Sequence, residues 1–246
     1  MEWIVKVIKS IRPSSIALTL LSITVLTTLL IINISCLHTL YNLYDEIAFP
    51  RNYRDSNIVV VTGYSMAPFT SVISVEGVEN CLNNVNGVRR VVYEVLSIAS
   101  INGSSIVVRG LSRNDLRYLI DYSVVKGEDF TDDCMYCVWI SSELANRYGL
   151  EVGDYVTVYS LFTSSPYVIR VEGILDLDKP YSYELIVPIE LSRAIRGISD
   201  RQASIAIVFL DPNIDKSVVL SSFNISSERI SLFERALVAL KYSRGE

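Results

Sequence analysis

The sequence predicts an α+β fold carried on one N-terminal transmembrane helix, with a mixed sheet in an extracytoplasmic domain that has room for two lobes. Three observations predict it. Residues 14–44 contain no Asp, Glu, Lys or Arg. After them, short β-branched runs alternate irregularly with short helical patterns, which favours a mixed sheet over a regular parallel one. The 246-residue chain leaves about 200 residues beyond the apolar stretch, enough for one substantial core or two small ones.

The elements follow in order. Residues 1–13 place Ile4, Val7, Ile8 and Ile11 on one helical face, with Lys6 and Lys9 off it and Trp3 at the start. This reads as a cytoplasmic amphipathic segment on the inner membrane surface. Residues 14–44 are the transmembrane helix and its outer extension. The densest part, IALTLLSITVLTTLLIINI, suits the roughly 20 apolar residues that cross a hydrocarbon core of ~30 Å. Its Ser and Thr hydroxyls bond back to carbonyls one turn earlier, so they do not oppose insertion. The run is too long for a signal-peptide core and no A-x-A site follows it. Lys6, Lys9 and Arg12 against the single acid Glu2 keep the N-terminus in the cytoplasm, and the main domain falls outside.

Residues 45–56 form a polar connector. Residues 57–62 (NIVVVT) read as a buried strand and 63–71 as a loop. Residues 72–85 show helical periodicity, with Gly87 as the stop. Residues 88–101 and 104–109 pair as a hairpin across Asn102-Gly103. Residues 111–124 read as mixed, with helical turns. Residues 138–140 form a strand, and a helix follows with Ser141 as its N-cap and Gly149 past its end. Residues 154–162 and 167–175 form a second hairpin; 184–187 is a strand, 189–196 a helix ending at Gly197, 203–210 a strand and 214–223 a helix. The segment 57–228 is thus one extracytoplasmic core domain. The tail, 229–246, places Ile230, Phe233, Leu237 and Leu240 on one face of an amphipathic helix.

Chemistry is sparse. The one histidine, His38, sits at the outer end of the span, which removes Ser-His-Asp and Cys-His catalysis and histidine-based zinc sites from the domain. Gly63-Tyr64-Ser65-Met66-Ala67 has the outline of a nucleophile elbow, but Ser65 has no base nearby. Cys134-Met135-Tyr136-Cys137 is a lone C-x-x-C without the second pair of a zinc site. Outside the membrane a disulfide is its natural outcome, and Cys81 is a third candidate that could pair with either member. A redox role would call for a thioredoxin-like surround, which the neighbouring sequence lacks. Asp129, Asp132 and Asp133 cluster without EF-hand spacing. No Walker A or G-x-G-x-x-G pattern is present, so no cofactor is expected and the chain does not itself hydrolyse ATP. The net charge of −5 disfavours a nucleic-acid partner. Asn102 and Asn224 head N-x-S triplets, in keeping with an external location. By composition alone, residues 64–70 and 163–167 are the exposed candidates for a partner surface.

One ordered set of motifs carries a resemblance: VVKGEDF, a short strand, ELA in a helix, GLEVGD opening a hairpin, VEGIL, VPIE with a helix, and ASIAIVFL, all behind NGVRRV, VVRGL and one membrane span. Over residues 3–210 it resembles the MacB/FtsX-like permeases of ABC transporters: the N-terminal span plus the MacB-like extracytoplasmic (periplasmic) core domain. The resemblance implies a domain that performs no reaction and transmits motion or contact between the membrane helices, a cytoplasmic ATPase and external partners. Family permeases carry three later spans, and no later stretch here is long and uncharged enough. The resemblance therefore implies either that the later spans lie on a separate multi-span permease subunit, with a cytoplasmic ATPase and the lipid bilayer as the other partners, or that the chain is a truncated or repurposed descendant. The alternative is an independent anchored surface domain that binds a ligand or envelope protein without an ATPase. A membrane-tethered hydrolase using Ser65 or the aspartates is a third, weaker reading.

Overall fold

The computed structural model describes residues 13–48, 57–63 and 68–223. The amphipathic segment expected at 1–13, apart from Pro13, the connector beyond Ala48, Ser65 and its neighbours, and the C-terminal helix expected at 229–246 lie outside the described residues. The chain divides into two compact units, Met1–Asp45 and Glu46–Glu246.

In the first unit, helix α1 covers Pro13–Ala48. Its apolar window, Thr19–Cys36, is exposed throughout. At 1.5 Å per residue these residues span about 27 Å, the thickness of a hydrocarbon core. Thr24, Thr27 and Thr28 bond back within the helix. Thr24 Oγ1 donates to Leu20 O at 2.9 Å, Thr27 Oγ1 to Ile23 O at 2.9 Å and Thr28 Oγ1 to Thr24 O at 2.8 Å. Asn33 Nδ2 likewise donates to Leu29 O at 2.8 Å. No solvent is needed to pair these groups, as a lipid environment requires.

The second unit is a mixed sheet with short helices. Its strands are β1 (Ile58–Thr62), β2 (Ile73–Ser74), β3 (Val88–Ile101), β4 (Ser104–Leu111), β5 (Ser123–Gly127), β6 (Cys137–Ser141), β7 (Tyr155–Ser160), β8 (Pro166–Asp176), β9 (Glu184–Pro188), β10 (Gln202–Ala203) and β11 (Ile205–Leu210). Helices α2 (Val75–Leu82), α3 (Arg113–Leu119), α4 (Ser142–Tyr148), α5 (Ile189–Arg196) and α6 (Lys216–Ser222) connect them.

Strand β3 organises the sheet. Its first half pairs antiparallel with β11, and β11 with β1. Its second half pairs with β4 through the Asn102-Gly103 turn, both of whose residues have positive φ (50° and 80°), as a two-residue hairpin loop demands. From β4 the path runs to β9 (parallel), β6 (antiparallel), β8 (parallel) and β7 (antiparallel), and β7 returns to β3. Six strands therefore close a ring, which leaves no free edge within it. Val108, Ile140, Val158, Ile169, Val171 and Val187 fill its interior together with Leu144 of α4 and Leu191 and Ile195 of α5. A second apolar cluster lies on the β1–β11–β3 part, where Val78 and Leu82 of α2 and Val219 of α6 meet Val95, Ala206 and Val208. Both clusters stand on one continuous sheet that shares β3.

Several boundaries follow from identifiable residues. The helix expected at 72–85 is shorter. Ser74 adopts an extended backbone and its hydroxyl accepts from Gly77 N–H, so α2 begins at Val75 and β2 takes the two residues before it. That helix ends at Asn83, and Gly87 (φ +86°) instead opens β3. Ser112 caps α3, which resolves the mixed stretch after β4 into one short helix followed by β5. Helix α4 starts and stops on Ser141 and Gly149 (φ 64°). Gly110 is where α5 crosses β4 most closely: a Cβ there would lie 2.3 Å from Ser192 Cβ.

Candidate functional site

Two constellations stand out, and β-strand alternation builds both. On β4, Ile106 and Val108 point into the ring, so Arg109 points to the opposite face. Glu94 on β3 and Glu184 at the start of β9 share that face. All three are buried, with Glu94 and Arg109 entirely inaccessible. Arg109 Nε and Nη2 form a fork onto the Glu184 carboxylate, the latter at 3.0 Å, and Nη1 donates to Glu94 Oε2. The guanidinium also lies over the Tyr181 ring, 4.7 Å from its centroid. Leu116 and Leu119 of α3 are buried, as are Phe130 and Trp139, whose rings meet edge to face at 4.7 Å.

Two carboxylates face one guanidinium, and the imbalance falls on Glu94. Burial drives its pKa upward, Arg109 offsets part of this, and repulsion from Glu184 adds to it, so the carboxyl is pushed up from 4.5 to about 7. Its Oε1 has no hydrogen-bond partner, which fits a group that is readily protonated. Arg109 is held above its ordinary value: burial opposes its charge, but Glu184 and Glu94 outweigh that.

The second constellation lies on the outer surface of the ring. Cys137 opens β6, opposite Arg170 on β8, which in turn faces Tyr155 on β7. Cys134 and Cys137 are joined by a disulfide. Cys137 is 1% exposed, whereas Cys134 is half-buried. Glu172, two residues along β8, brings Oε2 to 3.4 Å from Cys137 Sγ and pairs with Arg170 at 2.5 Å. Met135, Tyr136, Tyr155 and Val168 are exposed around this corner. Cys81 is a free thiol on α2.

The remaining candidate residues are occupied locally. Partial burial acts to raise the Asp129 pKa, but hydrogen bonds from Arg113, Tyr122, Arg117 and the Phe130 N–H hold it below the usual carboxylate range. Asp132 accepts from Arg113 N–H at 2.9 Å, and Asp133 from Thr131. Among the described residues the aspartates do not converge; the one group with metal-ligand spacing is Cys134, Cys137 and Glu172. The 163–167 turn is tied down by Tyr167 Oη donating to Ala194 O at 2.8 Å and by Thr163 N–H on Ser160 Oγ. Of the 64–70 loop only Pro68–Thr70 is described, as one 3-10 turn.

Sequence patterning does not single out Glu94, Arg109, Glu184 or Glu172. Two of them carried a signal: Arg109 is the one charge in β4 and Glu94 the one charge in β3 beyond Arg90, positions where only a paired charge persists, whereas Glu184 stands at the start of β9 and Glu172 shares β8 with Arg170 and Asp176.

The family model for the MacB-like periplasmic core domain matches residues 16–221, most of the chain. The chain belongs to that family. The MacB-like domain here is therefore an extracytoplasmic domain of the ABC-transporter permease type, carried behind one apolar helix. No curated protein matches it. Among solved structures it is similar to the extracellular domain of the ABC-type transporter YknZ from Gram-positive bacteria, with 18% identity, a TM-score of 0.46, and coverage of 66% of this chain and 88% of that one. It is also similar to the periplasmic region of MacB from Actinobacillus actinomycetemcomitans, with 14% identity, a TM-score of 0.45, and coverage of 70% and 84%.

Proposed function

We propose that this chain is a non-enzymatic, single-span component of an ABC-transporter-type membrane complex, and that its MacB-like domain is a coupling or docking module outside the cytoplasm. The observation that carries this reading is the continuity of the family match from the apolar helix into the sheet domain, residues 16–221. The basic residues Lys6, Lys9 and Arg12 favour a cytoplasmic N-terminus. On this reading residues 57–228 are the coupling domain and 45–56 its connector. A closed six-stranded ring, cross-linked on its outer face by Glu94, Arg109 and Glu184, suits a body that moves as a unit. Its partners are a multi-span permease subunit and a cytoplasmic ATPase, with no resident cofactor.

The test is purification of the native complex from membranes in mild detergent. Co-purification of a multi-span permease subunit and an ATPase in fixed ratio is the expected result. Recovery of the chain alone, with both proteins present in the membrane but unassociated, contradicts the proposal and favours the independent surface domain.

A further inference from the structure

We infer that Arg196, laid over Phe162 at the β7–β8 turn, anchors a docking surface for an extended acidic segment of an extracytoplasmic partner protein. The segment's carboxylate pairs with the guanidinium, and its apolar residues lie on Leu161 and Tyr159. This deepens the docking role proposed above and rests on that role.

An unpaired cation is the first sign. Arg196 ends α5, and its guanidinium carbon lies 3.6 Å from the Phe162 ring centroid. Arg90, Arg170 and Arg193 each pair with a carboxylate, but Arg196 makes no ion pair with a described residue. Its Nε is shut off from water and has no hydrogen-bond partner. Burial lowers its pKa, and no neighbouring acid raises it. The end of a helix attracts a cation, but that attraction does not call for a desolvated Nε. In a chain of net charge −5, this one cation is left without a counter-charge.

Its position is also preset. Tyr167 Oη donates to Ala194 O at 2.8 Å and Ser160 Oγ donates to Ile195 O, which fastens the hairpin turn to the last turn of α5. The Phe162 and Thr163 N–H groups both donate to Ser160 Oγ at 3.1 Å. The guanidinium therefore rests on a ring whose backbone is fixed, and its planar fork matches a carboxylate. Beside it Leu161 is 57% and Tyr159 52% exposed. An arginine next to exposed aromatic and aliphatic side chains has the composition of an interface hot spot. A second copy fits this surface poorly. A twofold axis through it would set Arg196 against Arg196, with no carboxylate close enough to act on Arg196 available to cross over.

A random dodecapeptide library displayed on phage, panned against the full chain in dodecyl maltoside micelles, tests this. Peptides retained by the parent chain are expected to carry Asp or Glu beside an apolar residue. A synthetic copy of a retained peptide should bind the Arg196→Gln chain roughly tenfold or more weakly, and the Arg196→Lys chain, which keeps the charge but not the fork, to an intermediate degree. Replacing the peptide's acid by its amide should cost the parent the same factor and the Arg196→Gln chain nothing further, as a direct pair requires. That arm leaves the parent chain untouched, so a loss of fold cannot imitate it. Retained peptides without an acidic residue, losses that add when both partners are changed, or an Arg196→Gln chain that binds as the parent does would each overturn the inference. An Arg196-dependent dimer seen by light scattering would also overturn it and assign the surface to a second copy. The panning needs no assembled complex. A complex that co-purifies while no acidic peptide is selected refutes this surface alone, and acidic peptides selected where no complex is recovered refute the transporter reading alone.

Discussion

Glu94→Gln isolates the buried ionic centre. In the folded chain the Glu94 carboxyl is pushed up from 4.5 to about 7, chiefly by burial. Between those pH values the folded state keeps a proton that the unfolded state has released. Stability is therefore greatest below about pH 4.5, falls as pH rises toward 7 and levels off above it. The gap of about 2.5 units corresponds to on the order of 3 kcal/mol. Glutamine resembles the protonated acid in shape and charge and can still accept from Arg109, but it does not titrate. The variant should lose this share of the pH slope. At about pH 8 it should be as stable as the parent or more so, after roughly 1 kcal/mol is lost to an amide group facing the unpartnered Oε1 position. The assay is urea unfolding of the full chain in micelles from pH 4.5 to 8, in a Trp3→Phe background, followed by the fluorescence of Trp139, which is fully buried. Parallel pH profiles for parent and variant, or a parent that gains stability relative to the variant across that window, would refute the reasoning.

Other consequences are simpler. Arg109→Met leaves two buried carboxylates without their cation and should cost about 3–5 kcal/mol, with much of the loss recovered at low pH, measured by the same unfolding assay. Gly110→Ala forces β4 and α5 apart, because its Cβ would lie 2.3 Å from Ser192 Cβ; a loss of about 1–3 kcal/mol in urea unfolding is expected. Ser74→Ala removes the hydroxyl that caps α2 and should cost about 1 kcal/mol, with faster amide exchange at Gly77.

The local parts of this architecture were legible in the sequence. An uncharged run from 14 to 44 defines α1, Asn102-Gly103 marks the β3–β4 turn, and Ser141 and Gly149 bracket α4, because each is a short-range constraint that a few residues express on their own. Strand β5 was hidden for the opposite reason. All five of its residues are exposed, so no buried face imposes an alternation on Ser123–Gly127. The start of α2 was misplaced because Val72 continues the helical period although it is exposed and lies before the Ser74 cap. Ring closure was invisible, since the parallel pairing of β4 with β9 joins residues more than seventy positions apart and leaves no local mark. Sequence separation likewise hid the ion pair between Arg109 and Glu184, 75 residues apart, and the approach of Glu172 to Cys137, 35 residues apart, which only the completed sheet brings together.

The coupling role depends most directly on which side of the membrane the sheet domain occupies. Thr157, on the outer surface of β7, is exposed. A Thr157→Cys variant, with Cys36 and Cys81 replaced by serine, should be labelled by a membrane-impermeant maleimide on intact cells as fully as after lysis. Labelling only after the membrane is broken would place the domain in the cytoplasm and contradict the proposed topology and the coupling role built on it.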